Sequence, residues 1–368
     1  MNTPYIYQKS DWPNFVWDSD RLLKPLGEVR ALQGKLLGHM ESLGFELREE
    51  ANLQTLTLEI IKSTEIEGEV LNPEQVRSSL AKRLGVDIKD SVYSQRNVDG
   101  VVDMMLDALQ KYQQPLTRER LNDWHFSLFP TGRSGMYSIL VGDIRDDSTG
   151  PMQVVSGALG KEKIHFQAPP AAVLEKQLKQ FLDWLNHHED IDPILKAGIA
   201  HLWYVTLHPY EDGNGRMTRA ITEMLLARAD GLEQRFYSMS SQIRIERKAY
   251  YEILEKSQQG TIDITPWLTW FLNCLKNAIE ASYETLNNVI FKHQFWNKFA
   301  SEIKNERQKL LVNKLMDGFE GKLNTSKWAK IAKCSTDTAL RDIQDLLEKG
   351  ILEKELGGGR NTSYRLKT

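Results

Sequence analysis

The sequence predicts a mainly α-helical protein, with one β-hairpin ahead of its central helices and a short pair of strands near its C-terminal end. Apolar residues recur at helical spacing, first at Leu53, Leu56, Ile60 and Ile61, then at Met217, Ala220, Ile221, Met224 and Leu225. Strand-prone runs gather between Asp143 and Gln167 and after Ile351, each bounded by turn residues. At 368 residues, 41% hydrophobic and 26% charged, the chain is long enough for two or three domains around a substantial core. Two cysteines, Cys274 and Cys334, give neither a disulfide framework nor metal-site spacing, which fits a reducing compartment. The polar N-terminus and the lack of any long apolar run leave no signal peptide or membrane span to read, so a cytoplasmic location and no membrane partner are expected.

In chain order, residues 1–95 read as a helical region whose amphipathic helix stops at Gly68, with Asn72-Pro73 beyond it. Met-Gln-Val-Val-Ser-Gly and Ile-His-Phe-Gln form the two arms of a hairpin ending before Pro169-Pro170. His187-His188-Glu189-Asp190 reads as a polar helix end rather than a metal site, because zinc ligands need spacing along one face. Ile194 to Leu207 is an apolar helix in which His201 is expected as a hydrogen-bonded core residue.

His208-Pro-Tyr-Glu-Asp-Gly-Asn-Gly-Arg-Met-Thr-Arg219 follows directly. Taken singly, Asp-Gly and Asn-Gly would mark a turn between helices. Together with a base, an acid and two arginines they suit chemistry on a polyphosphate. Gly213 and Gly215 let backbone N–H groups approach an anion without a Cβ in the way, and the helix opening after them offers its N-terminus to phosphate. Arg216 and Arg219, three residues apart, can both fork onto phosphate oxygens or a carboxylate. The Gly-Lys-Ser/Thr of a Walker P-loop is absent.

This string resembles the signature of the Fic family, His-Pro-Phe-x-Asp/Glu-Gly-Asn-Gly-Arg-x-x-Arg, with Tyr210 in place of Phe. The resemblance implies a helical Fic-type core with a β-hairpin flap, and transfer of AMP from ATP to a Ser, Thr or Tyr hydroxyl of a target protein or of the chain itself. His208 would be the general base, and Asp212 would hold Mg²⁺ against the α and β phosphates. Asn214 and the backbone of Gly213 and Gly215 would bind the anionic oxygens, Arg216 the β-phosphate and Arg219 the γ-phosphate. Relatives of the phosphotransferring Doc kind carry Lys where this chain has Gly215.

Upstream, Ser63-Thr-Glu-Ile-Glu67-Gly68 matches the family's Ser-x-x-x-Glu-Gly inhibitory motif. It implies that Glu67 reaches Arg219 and takes it from the γ-phosphate of bound ATP. The opening Tyr5-Ile-Tyr-Gln-Lys-Ser-Asp-Trp-Pro resembles the N-terminal module of one Fic subgroup. The resemblance also makes Val154, Val155, Ser156 and Gly157 flap contacts to nucleotide and target backbone. Tyr250, Tyr251 and Gln258 fall where the family places an aromatic and an amide near adenine, although Asn is more usual there; the tyrosines read equally well as core residues with a surface hydroxyl.

Residues 96–290 are thus expected as the catalytic core and 291–368 as a separate domain. Residues 297–368 hold 15 Lys and Arg against 10 Asp and Glu, a net +5 that leaves −8 elsewhere and favours an anionic partner. Two short helices joined by a tight turn, with Ser335 as N-cap, then two strands, resemble a winged helix-turn-helix. Thr336, Thr338 and Arg341 would face a DNA major groove and Arg360 a phosphate or the minor groove. Winged helices also serve in protein docking and in homodimers. Three functions follow: an adenylyltransferase restrained by Glu67, the reverse deAMPylating enzyme using Glu67 to orient water, and a nucleotide-sensing DNA-binding regulator.

Overall fold

The computed structural model describes residues 4–88, 91–148, 150–156, 163–303, 305–316, 319, 321–355 and 362–367. The chain divides into two compact units, Met1–Tyr283 and Glu284–Thr368. The expected N-terminal region, 1–95, and the expected core as far as residue 283 fall in the first unit.

After a 3₁₀ turn at Ile6–Gln8, the first unit runs through α1 (Ser19–Glu41), α2 (Phe45–Ile66), α3 (Pro73–Leu84), α4 (Arg96–Gln110) and α5 (Arg118–Leu128). Two antiparallel ribbons follow, β1 (Arg133–Ser134) with β2 (Tyr137–Ser138), and β3 (Gln153–Ser156) with β4 (Lys163–Gln167). Then come α6 (Ala171–His187), α7 (Pro193–Leu207), α8 (Asn214–Asp230), α9 (Met239–Ile245), α10 (Arg247–Gln258) and α11 (Thr265–Phe299), whose last turns lie in the second unit. The expectation of a mainly helical fold with a hairpin holds.

The core of the first unit is the α7–α8 pair. Their sequences are buried nearly all round, which is why α7 lacks a polar stripe. His201, wholly buried on α7, bonds through Nδ1 to the Thr222 hydroxyl and through Nε2 to the Tyr250 hydroxyl, both at 2.9 Å, as a core histidine should. The helix carrying Ser63 and Glu67 is α2, and buried polar contacts pin it. Glu59 accepts from the Ser238 hydroxyl at 2.6 Å and the Ser240 N–H at 2.9 Å, satisfying the first turn of α9. Arg247 Nε donates to the Ile66 carbonyl at 3.1 Å, closing the other end.

The second unit continues through α12 (Glu306–Met316), α13 (Thr325–Ile331), α14 (Thr336–Glu348), β5 (Leu352–Lys354) and β6 (Tyr364–Leu366) around Trp328, Ile343 and Leu346. Ser335 caps α14, its hydroxyl accepting the Thr338 N–H at 3.1 Å. Thr336 and Arg341 are exposed, while the Thr338 hydroxyl is engaged by Ser335 at 2.9 Å. Arg360 lies outside the described residues.

Candidate active site

The α7–α8 connection turns twice through left-handed backbone. His208, the C-cap of α7, has φ 48° and ψ 58°, and Gly213, the N-cap of α8, has φ 77°. Gly213 is doubly required, since a Cβ there would also lie 2.9 Å from the Phe129 ring. The Asn214 amide is bonded on both sides to Tyr210, accepting from its N–H at 3.0 Å and donating to its carbonyl at 2.7 Å. The Asn214 side chain thus braces the loop, using one of its two amide N–H donors. Tyr210 is fully buried, stacked on His125 at 4.4 Å, with its hydroxyl donating to Asn122 at 2.7 Å. It anchors the loop as Phe would, with an added hydrogen bond. His125 accepts the Gly142 N–H at Nδ1 (3.0 Å) and so carries its proton on Nε2, 3.2 Å from the Asp212 carbonyl. Burial drops its pKa to about 4.

His208 Nδ1 lies 3.3 Å from the Val205 carbonyl, which assigns the proton to Nδ1 and leaves the Nε2 lone pair as the basic site. Burial lowers the imidazole pKa, so the ring is neutral at pH 7. The half-buried Asp212 carboxylate accepts from the Ser134 hydroxyl and from the Gly213 N–H. Its carboxylate oxygens are of the kind a hard cation such as Mg²⁺ takes as ligands; among the described residues no group of three or more His, Cys, Asp or Glu could hold a metal.

Arg219 is 2% exposed, with Nε on the Ser63 hydroxyl, Nη2 on the Ser63 carbonyl, both at 2.8 Å, and Nη2 on Glu67 Oε1 at 2.6 Å. Gly215 makes room for that carboxylate: a Cβ there would overlap Glu67 Oε1. Gly68, at φ 89°, lets Glu67 and Glu69 both donate N–H to the Thr64 carbonyl, at 3.1 and 3.3 Å. The same turn sets Glu69 on Arg216 Nη1 at 3.2 Å. Arg216 lies over the Phe129 ring at 5.1 Å and keeps a buried Nε with no partner among the described residues. Each arginine of the loop therefore faces a carboxylate from the end of α2.

On the hairpin, Val154 pairs with Phe166, Val155 with Ile164 and Ser156 with Lys163. Phe166 is buried against Tyr5 at 5.1 Å, while Val155 and Ile164 are about half exposed. Gly157 lies outside the described residues. Tyr250 and Gln258 are interior, with the Tyr250 hydroxyl on His201 and the Gln258 amide donating to the Thr206 hydroxyl at 3.3 Å. The Tyr250 hydroxyl is thus not at the surface. Tyr251, half-buried beneath Arg247, is the more accessible ring.

Sequence reading missed Ser134, His125, Glu69 and Arg145. Their contacts run over long separations in sequence, and no local spacing announces them.

Residues 115–226 match the family described as Fic/DOC, and residues 5–86 match one described as a domain of unknown function (DUF4172). The Fic/DOC match thus covers the α5–α8 region, including the His208–Arg219 loop. It is 35% identical over 116 residues to a protein adenylyltransferase Fic of Nematostella vectensis, covering 31% of this chain and 25% of that one. A protein of the same name from Drosophila virilis is 30% identical over 105 residues, 28% and 20% of the two chains. The chain thus spans a quarter or less of these curated relatives. Among solved structures, a Fic family protein of Desulfovibrio desulfuricans G20 is 20% identical, with 94% of this chain and 96% of that one covered at a TM-score of 0.51. A Fic domain containing signaling protein of Bacteroides thetaiotaomicron VPI-5482 is also 20% identical, with coverages of 71% and 97% and a TM-score of 0.52. At that identity the likeness is one of fold.

Proposed function

We propose that the chain is a protein adenylyltransferase held back by Glu67. The observation that carries the reading is the pairing of a neutral His208 with a buried Arg219 that a carboxylate from α2 occupies. Chemically, His208 Nε2 removes the proton of a target Ser, Thr or Tyr hydroxyl as its oxygen bonds to the α-phosphorus. The bond from α-phosphorus to the bridging oxygen breaks and pyrophosphate leaves. N–H groups at the start of α8 face the developing negative charge. Mg²⁺ on Asp212 would supply further charge neutralisation.

Arg216 and Arg219 orient the terminal phosphates, so a carboxylate on either one hinders the α-phosphorus from meeting the hydroxyl. Glu67 and Glu69 stand in for phosphate oxygens on these arginines. The Glu67 carboxylate, bonded through one oxygen to a guanidinium with little access to water, is the stronger competitor of the two.

The test is incubation of wild type and Glu67→Gly with Mg²⁺ and ATP labelled at either the α or the γ phosphate. Label entering protein from the α position only, and more in Glu67→Gly, supports the reading. γ label in protein would make the chain a phosphotransferase. Loss of the ability to strip AMP from a modified protein, with no gain in transfer, would make Glu67 the catalytic group of the reverse reaction.

A further inference from the structure

We propose that Arg145 is a positioning residue for the base: it holds His208 in its left-handed conformation and ties it to the foot of the β3–β4 hairpin. A non-glycine residue at positive φ is disfavoured on its own and persists only where its surroundings impose it. Arg145 is 2% exposed and supplies that constraint through four bonds. Its Nε donates to the His208 carbonyl at 2.8 Å and its backbone N–H to the Pro209 carbonyl at 2.9 Å. Nη2 donates to the Pro169 carbonyl at 2.6 Å, two residues beyond β4, and Nη1 to Asp147 at 2.6 Å. Asp147 in turn accepts the Ala171 N–H at 2.7 Å, at the start of α6. One planar guanidinium thus joins the base, the hairpin's return arm and a helix N-terminus, a fork that a lysine ammonium cannot reproduce.

The same cation bears on the base's protonation. Burial is the main cause of the lowered His208 pKa, and Arg145 lowers it further, against Glu67 and Asp212, which raise it. Removing the charge should therefore move His208 upward, whereas Arg145→Lys keeps the charge and loses the fork.

The kinetic arm rests on the transfer reading and is run in the full chain carrying Glu67→Gly. Adding Arg145→Lys should lower kcat roughly 10- to 100-fold, the scale of a misplaced catalytic group, with the ATP dissociation constant within about twofold. Arg145→Gln should in addition shift the acidic limb of the pH–rate profile to higher pH. A second arm is independent of activity: NMR titration of the His208 ring should show a higher pKa in Arg145→Gln and little change in Arg145→Lys. If Glu67→Gly transfers no AMP, the transfer reading fails while this titration still tests Arg145. Should both Arg145 variants misfold, Asp147→Asn, which loosens the guanidinium but keeps it, should still lower kcat without changing ATP affinity. Unchanged kcat in a folded variant, an unmoved His208 pKa in Arg145→Gln, or loss of ATP affinity in step with kcat would overturn the proposal.

Discussion

At the scale of single residues, the proposed transfer relies on His208 for the proton and on the loop and arginines for the nucleotide. In a Glu67→Gly chain, His208→Ala should lower AMP transfer by ~10²–10⁴ while calorimetry finds ATP bound nearly as before. Retained transfer would remove His208 from the mechanism. Asp212→Ala should weaken ATP binding in Mg²⁺ but not in EDTA, because only the shared cation is lost; an unaltered Mg²⁺ titration would contradict its role. The string from His208 to Arg219 was legible because its chemistry is written in twelve consecutive residues. The bracing role of Asn214 was not legible: its residue type suits an anion, and only the folded loop shows the amide bonded to Tyr210.

At the scale of elements, the end of α2 brings the carboxylates of Glu67 and Glu69 onto Arg219 and Arg216 of α8. The stop at Gly68 and the apolar spacing before it were readable, because a positive φ at a helix end and a buried helical face both leave local marks. The second carboxylate was not. Glu69 looks like a solvated glutamate until the Gly68 turn carries it to Arg216. Since that side chain is about half exposed, its contact should be worth little alone. Glu69→Gln is expected to raise transfer less than threefold in wild type, and ATP affinity slightly more once Glu67 is also removed. An effect as large as that of Glu67→Gly would mean that the inhibition is shared evenly.

At the scale of the whole molecule, buried histidines couple stability to pH. Burial lowers His125 to about 4 and His201 to about 3, so both are neutral when folded, whereas an unfolded chain binds protons from about pH 6.5 downward. Each therefore destabilises the fold as pH falls, by about 2 kcal/mol at pH 5. Glu223, which burial pushes up to about 8, acts with the opposite sign, so the test is a difference. The stability deficit of His125→Gln in urea at pH 7.5 should shrink by about 2 kcal/mol at pH 5. A constant deficit would show that His125 is protonated in the fold. In the second unit, α14 carries Asp337, Asp342, Asp345 and Glu348 against Arg341 alone. Duplex DNA is accordingly expected to bind the full chain no tighter than roughly 10⁻⁶ M at physiological salt, the non-specific range. Submicromolar binding lost in Arg341→Ala would restore DNA recognition. If Glu67 restrains transfer by occupying Arg219, AMP incorporation in wild type, Glu67→Gly, Arg219→Ala and the double variant will show it most directly. Glu67→Gly should gain about 10-fold or more, the equivalent of about 1.4 kcal/mol, and the gain should vanish when Arg219→Ala is added. A gain that persists without Arg219 would contradict it.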